Sequence, residues 1–129
     1  MRLWHLNLIH KLPRQQLLGQ WRECIALLGK GWGRKHKTVD YVFLYPEGYL
    51  IAYSCIVYKE MQSRGYKPDL DKIQMALRKR LTYKEIDDQW NLMYQVAEDF
   101  KTTKQIYKEH DNQYYTECIR YLESKGINI

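Results

Sequence analysis

Cysteine is sparse in this sequence, and its three residues, Cys24, Cys55 and Cys118, are far apart and odd in number. Neither a disulfide framework nor a paired-cysteine metal knuckle can be built from them. Reduced core thiols in a cytoplasmic protein are the expectation. Long apolar runs are also missing: nothing approaches the roughly 20 consecutive apolar residues that a membrane-spanning helix needs. The opening MRLWHLNLIHKL mixes apolar with polar residues and offers no small-residue cleavage site, so neither export nor a membrane partner is expected. The GxxxxGK[ST] spacing of a nucleotide-binding loop and the GxSxG elbow of a hydrolase are absent, which removes support for nucleotide hydrolysis and for serine acyl transfer. His5, His10, His36 and His110 share no HxxxH or HExxH spacing, and no metal and no organic cofactor are expected.

What is present is apolar residue enough for one core and an excess of positive charge. The 129 residues are 45% hydrophobic, which suits one compact domain, expected to be a monomer. Lysine and arginine outnumber aspartate and glutamate by 21 to 15, giving a formal charge of +6 that suits a polyanionic partner.

Local signals predict a mainly α fold, a compact helical bundle of about five helices. The first opens with Pro13 at the first helical position and closes at Gly29, with Leu17, Leu18, Trp21, Cys24, Ile25 and Leu28 forming one apolar stripe. At about 100° per residue, Gln15, Gly19, Arg22 and Ala26 fall on the opposite side, flanked by Glu23. Gly19 in mid-helix costs about 1 kcal/mol relative to alanine, so something is expected to come close there, either a crossing helix or a ligand. GKGWGRKHKT at 29–38 reads as a basic loop, and Tyr41–Tyr45 as a short extended piece ended by Pro46.

A second helix is predicted from Glu47 to Arg64, burying Leu50, Ser54, Val57 and Met61 and ending at Gly65. Asp69 is read as the cap of a third, with Leu70, Ile73 and Leu77 inward and Arg78, Lys79 and Arg80 as solvated charges at its end. Thr82 and Glu85 form a capping-box pattern ahead of Ile86, Trp90, Met93, Ala97 and Phe100. The last helix is predicted from Thr102 or Thr103 to Lys125, with a break near Asp111-Asn112 and Tyr115, Cys118, Ile119 and Leu122 inward.

On the residues alone, Arg22-Glu23 reads first as a surface ion pair. The cations Arg14, Arg22, Arg34, Lys35 and Lys37 would ring that carboxylate, and a DNA backbone could dock there. Trp32 offers a stacking face for an unpaired base. An enzyme acting on DNA, a non-catalytic DNA-binding protein and a helical protein-interaction module all fit at this point.

The run Leu6-Asn7-Leu8-Ile9 through Leu12, then Gln15, Leu17 and Trp21-Arg22-Glu23, resembles without a gap the start of the pyrimidine-dimer DNA glycosylase and abasic-site lyase family. Arg34-Lys35-His36 is similar to that family's basic RKH after a short insertion, and YTECIRYLESKGINI to its last helix. The likeness covers about the first 36 residues well and the last 20 more loosely. It implies a DNA repair enzyme acting on double-stranded DNA with a damaged or abasic nucleotide. In that family the N-terminal α-amine attacks C1′ of the damaged nucleotide and forms a Schiff base. The resemblance makes Glu23 the catalytic carboxylate and sets Arg22 and Gln15 on phosphates. Arg2 is too bulky for ordinary removal of the initiator, so the amine of Met1 becomes the expected nucleophile. Leu3 and Ala26 stand where the family carries arginines, and Arg2 is available to compensate for the first. The implied DNA contacts are Arg14, Gln15, Trp32, Arg34, Lys35, His36 and Lys37.

Overall fold

In the computed structural model, which describes residues 2–129, prolines set where two helices start. Helix α1 spans Arg14–Leu28 and α2 spans Glu47–Ser63, each preceded by an extended proline, Pro13 or Pro46, as its N-cap residue. Pro13 therefore sits one position earlier than predicted, where its fixed φ still starts the helix and its missing N–H costs nothing. Helix α3 spans Asp71–Arg78, α4 Tyr83–Thr103 and α5 Asn112–Ser124. Among the described residues there are five α-helices, two short 3₁₀ helices at Leu6–Lys11 and Asp40–Leu44, and no strand. The mainly α fold with about five helices is thus the observed one.

Several local expectations needed correcting. Tyr41 to Leu44 coil into the second 3₁₀ helix instead of extending, burying Val42, and only Tyr45 is extended. Leu70 is 40% exposed, because α3 starts one residue later and turns it outward; Asp69 instead accepts the Asp71 N–H at 3.0 Å. The last helix does not begin at Thr102. Helix α4 runs on to Thr103, Lys104 stops it in a left-handed conformation at φ 58°, and α5 begins only after Asp111, whose side chain accepts the Tyr114 N–H at 2.9 Å. The capping box at Thr82 and Glu85 is present with both of its hydrogen bonds, at 3.2 and 2.9 Å.

Helix α2 lies between α1 and α4 and packs on both, while α3 closes against α1. That placement explains why α2 is buried well beyond the predicted stripe: Ile51, Ala52 and Tyr53 are covered together with Leu50, Ser54, Val57 and Met61. Gly48 makes the α2–α4 approach possible, since a Cβ there would lie 2.8 Å from the Gln89 carbonyl oxygen. No helix among the described residues is long and apolar enough to cross a membrane.

Arg80, expected to be solvated, is instead a clamp. Its Nε and Nη2 donate to the Leu28 carbonyl at 3.1 and 2.6 Å, and Nη2 also pairs with Glu47. The last carbonyls of α1 lack intrahelical donors and attract positive charge, while a carboxylate favours the start of α2, so one guanidinium satisfies both helix ends. The side chains of Arg80 and Glu47 are only 20% and 10% exposed. Arg80→Ala would leave a nearly buried carboxylate and an orphan carbonyl, and should cost about 3 kcal/mol in urea unfolding. A loss under about 1 kcal/mol, the range of an exposed ion pair, would show that the clamp contributes little.

Candidate active site and its basic flank

The chain start is stapled to three helices by side chains that the sequence reading passed over. Gln20, on α1, accepts the Trp4 N–H at 2.7 Å and donates to the Arg2 carbonyl at 3.2 Å. The Tyr53 hydroxyl, from α2, lies 2.6 Å from the Trp4 carbonyl and 2.8 Å from Gln20 Oε1, and Tyr114 of α5 donates to the Leu3 carbonyl. Leu3 is fully buried and Trp4 nearly so, which means these backbone groups have no water to turn to. A signal was available: Gln20 is a polar residue set between Leu17, Cys24 and Leu27 on the buried arc of α1. Gln20→Ala should strip partners from one buried and one part-buried backbone group, destabilise the protein by about 2–3 kcal/mol, and abolish hydrogen-exchange protection of the Trp4 amide. Retained protection would show that the staple is redundant.

Glu23 follows Gln20 by three residues on the same helix, so it lies about one turn further along, on the same flank. Its side chain is half-buried, and its Oε2 is screened from solvent with no hydrogen-bond partner among the described residues. A carboxylate oxygen screened from water is a place where a donor or a developing cation is stabilised. Arg2 has its carbonyl at this flank, but its side chain turns to α5. The guanidinium stacks 4.7 Å from the Tyr121 ring centroid, 5.7 Å from that of Tyr114 and 4.0 Å from Cys118 Sγ. Met1 lies outside the described residues.

Arg22 is exposed, and a Cβ placed on Gly19 would meet nothing nearer than its guanidinium, at 3.9 Å. Among the described residues no crossing helix comes within 4 Å of a Cβ at Gly19, which does not support the expectation of close helix packing there. Gln15 and Ala26, on the same ridge, are exposed. Arg22 joins Arg34 and His36 in one cleft, together with Lys30, Lys72 and Lys79. Lys35 and Lys37 are exposed beside it without lining it, and Arg14 lies further along, its guanidinium 5.5 Å from the Tyr66 ring centroid. Gly31 fixes this loop against α1, since its N–H reaches the Ala26 carbonyl at 2.9 Å and a Cβ would meet that oxygen at 2.7 Å.

Trp32 is half-buried, edge-on to Phe43 at 5.1 Å and covered by Arg80 at 5.5 Å. In this arrangement the ring is held by protein groups on two sides. Cys24 and Cys55 are poor nucleophiles: burial pushes Cys24 up to about 12, with smaller contributions from Glu23 and Cys55, and burial raises Cys55 as well. Among the described residues, no group of three or more His, Cys, Asp or Glu side chains could hold a metal ion.

The searches of curated proteins and of solved structures found no match. A family model described as pyrimidine dimer DNA glycosylase matches residues 1–74, from the chain start through α1 and α2 and into α3. The matched range takes in part of the middle segment that the resemblance of single motifs did not reach, while the likeness of the last helix falls outside it. The match spans more than half of the 129 residues and contains the stapled chain start, Arg22, Glu23 and the basic loop, and on that ground the chain belongs to the pyrimidine dimer DNA glycosylase family.

Proposed function

We propose that this protein excises a damaged base from double-stranded DNA and then cleaves the strand, using the amine at the chain start as nucleophile and Glu23 as the catalytic carboxylate. The amine attacks C1′, and the N-glycosidic bond breaks as the base leaves with its electron pair and a proton. Opening of the sugar ring gives an imine between the amine and C1′. Loss of a C2′ proton then expels the 3′ phosphate by β-elimination. Glu23 would stabilise the cationic sugar and iminium and carry the protons between these steps. An α-amine has a reference pKa of about 8, so a useful fraction is neutral and nucleophilic at physiological pH.

One observation supports this reading above the others. Oε2 of Glu23, without a hydrogen-bond partner among the described residues, lies on the same flank of α1 as Gln20, whose amide holds the Arg2 carbonyl. Arg2 is joined directly to the residue that carries the proposed amine. Arg22 and Gln15, exposed on the adjoining ridge, would hold phosphates of the lesion strand.

Borohydride in the presence of duplex DNA bearing an abasic site should trap a covalent complex, with EDTA making no difference. Mass analysis of the digested adduct should find the sugar on the N-terminal peptide. An adduct on a lysine, or equal trapping after acetylation of the N-terminus, would overturn the assignment. Salt-dependent binding with no trapping would instead identify a non-catalytic DNA-binding protein.

A further inference from the structure

The family match ends inside α3, yet α3 contributes charge to the flank of α1 that faces away from Glu23. Two clefts run along that flank. The first, of about 540 Å³, is lined by Arg22, Lys30, Arg34, His36, Lys72 and Lys79, and no aspartate or glutamate is among its described lining residues. The second, of about 380 Å³, continues towards the start of α1 and carries Arg14 and Lys67. Its one carboxylate, Asp69, is engaged by the Asp71 N–H at 3.0 Å. The clefts share Trp21 and Lys72, so they form one channel with a tryptophan floor.

Arg14, Leu18, Trp21 and Ile25 of α1 line this channel at successive helical turns, and Glu23 lines neither part of it. The charged flank and the carboxylate flank are therefore two sides of one helix, separated by the ridge of Gln15, Gly19, Arg22 and Ala26. Helix α1 has 15 residues and is about 22 Å long, enough to offer cations to several successive phosphates of one strand. Lys72 and Lys79 are exposed and neither is held in a salt bridge among the described residues, so both remain available to an anion.

We infer that the α1–α3 channel is a phosphate track for the backbone of duplex DNA, with Lys72 and Lys79 as binding residues, and that the duplex straddles the α1 ridge with its reacting sugar on the Glu23 side. Gly19 allows that approach because it adds no side chain of its own to the ridge, the nearest described side-chain atom to a Cβ there being the exposed Arg22 guanidinium at 3.9 Å. This rests on the proposed DNA-repair function and adds to it the surface that holds the substrate. Contacts of this kind are indifferent to sequence and lesion, and each neutralised phosphate contributes about 0.9 to the slope of log affinity against log salt.

The test is binding of the full-length protein to undamaged and to abasic 20-base-pair duplexes over a salt series. Lys72→Ala/Lys79→Ala should lower the slope by about 2 and weaken both duplexes by the same factor. Lys72→Arg/Lys79→Arg should restore the slope, and Lys84→Ala, on α4 and outside both clefts, should leave it as in the wild type. An unchanged slope in the alanine variant overturns the track, as does a loss confined to abasic DNA. The chemistry is judged separately on the wild type, since borohydride trapping with an unaltered variant slope removes the track alone. Wild-type protein with no salt-dependent DNA binding removes both.

Discussion

Glu23→Gln should slow strand cleavage of abasic DNA by about a hundred- to ten-thousand-fold, the range associated with loss of a positioned acid–base group. The amide matches the carboxylate in shape but can neither accept the C2′ proton at neutral pH nor offset the charge of an iminium. Duplex binding should not weaken, because removing a negative charge from a basic surface favours a polyanion. Single-turnover cleavage under saturating enzyme separates the two, since the observed rate then reports chemistry without binding. A variant that cleaves at the wild-type rate once saturated would show that Glu23 acts only in recruitment. Among the described residues Oε2 has no hydrogen bond to lose, so the slower cleavage should not be traceable to a loss of folding stability.

Acid should destabilise the protein through His110, which begins to matter well above the carboxylate range. Burial lowers this imidazole to about 3, with nearby His5 adding to the effect. The ring stacks on Tyr114 at 4.7 Å and on His5 at 5.9 Å, its Nε2 meets the Tyr41 hydroxyl, and its Nδ1 has no partner among the described residues. The folded-state value lies below the unfolded one of about 6.5. The stabilising contribution is therefore complete above about pH 6.5 and is lost as pH falls towards about 3, because the unfolded chain takes up the proton first. Near pH 4 the loss should reach about 3 kcal/mol. Urea midpoints measured from about pH 7 to 4 should trace it, and His110→Gln should flatten the acid limb. If that variant keeps the full acid dependence, other groups are responsible. The same cluster contains Tyr114, which holds the Leu3 carbonyl, so acid should also loosen the chain start and reduce trapping.

Helix positions were legible where the signal was local. Thr82 with Glu85, Gly65 after α2 and the apolar period of α1 each depend on residues within a turn or two of one another, and all three were found in place. Legibility failed where two local signals competed. The strong α-helical pattern around Phe100 carried α4 past the predicted boundary at Thr102, while the break predicted near Asp111-Asn112 is where α5 starts, capped by the Asp111 side chain. The 3₁₀ turn at Asp40–Leu44 was hidden because an apolar run of five residues suits a strand as well as a buried turn.

By itself the sequence determined which helices form, that Arg22 and Glu23 leave α1 away from its apolar stripe, and, through the family pattern at its start, what kind of enzyme this is. Only the tertiary structure decided that Gln20, Tyr53 and Tyr114 hold the first residues, that Arg80 joins α1 to α2, and that Lys72 and Lys79 face the α1 flank opposite Glu23. The physical reason is range. Caps and periodicity act over a few residues, whereas the Arg80–Leu28 and Tyr114–Leu3 contacts span 52 and 111 positions and exist only once packing has set the distances between helices.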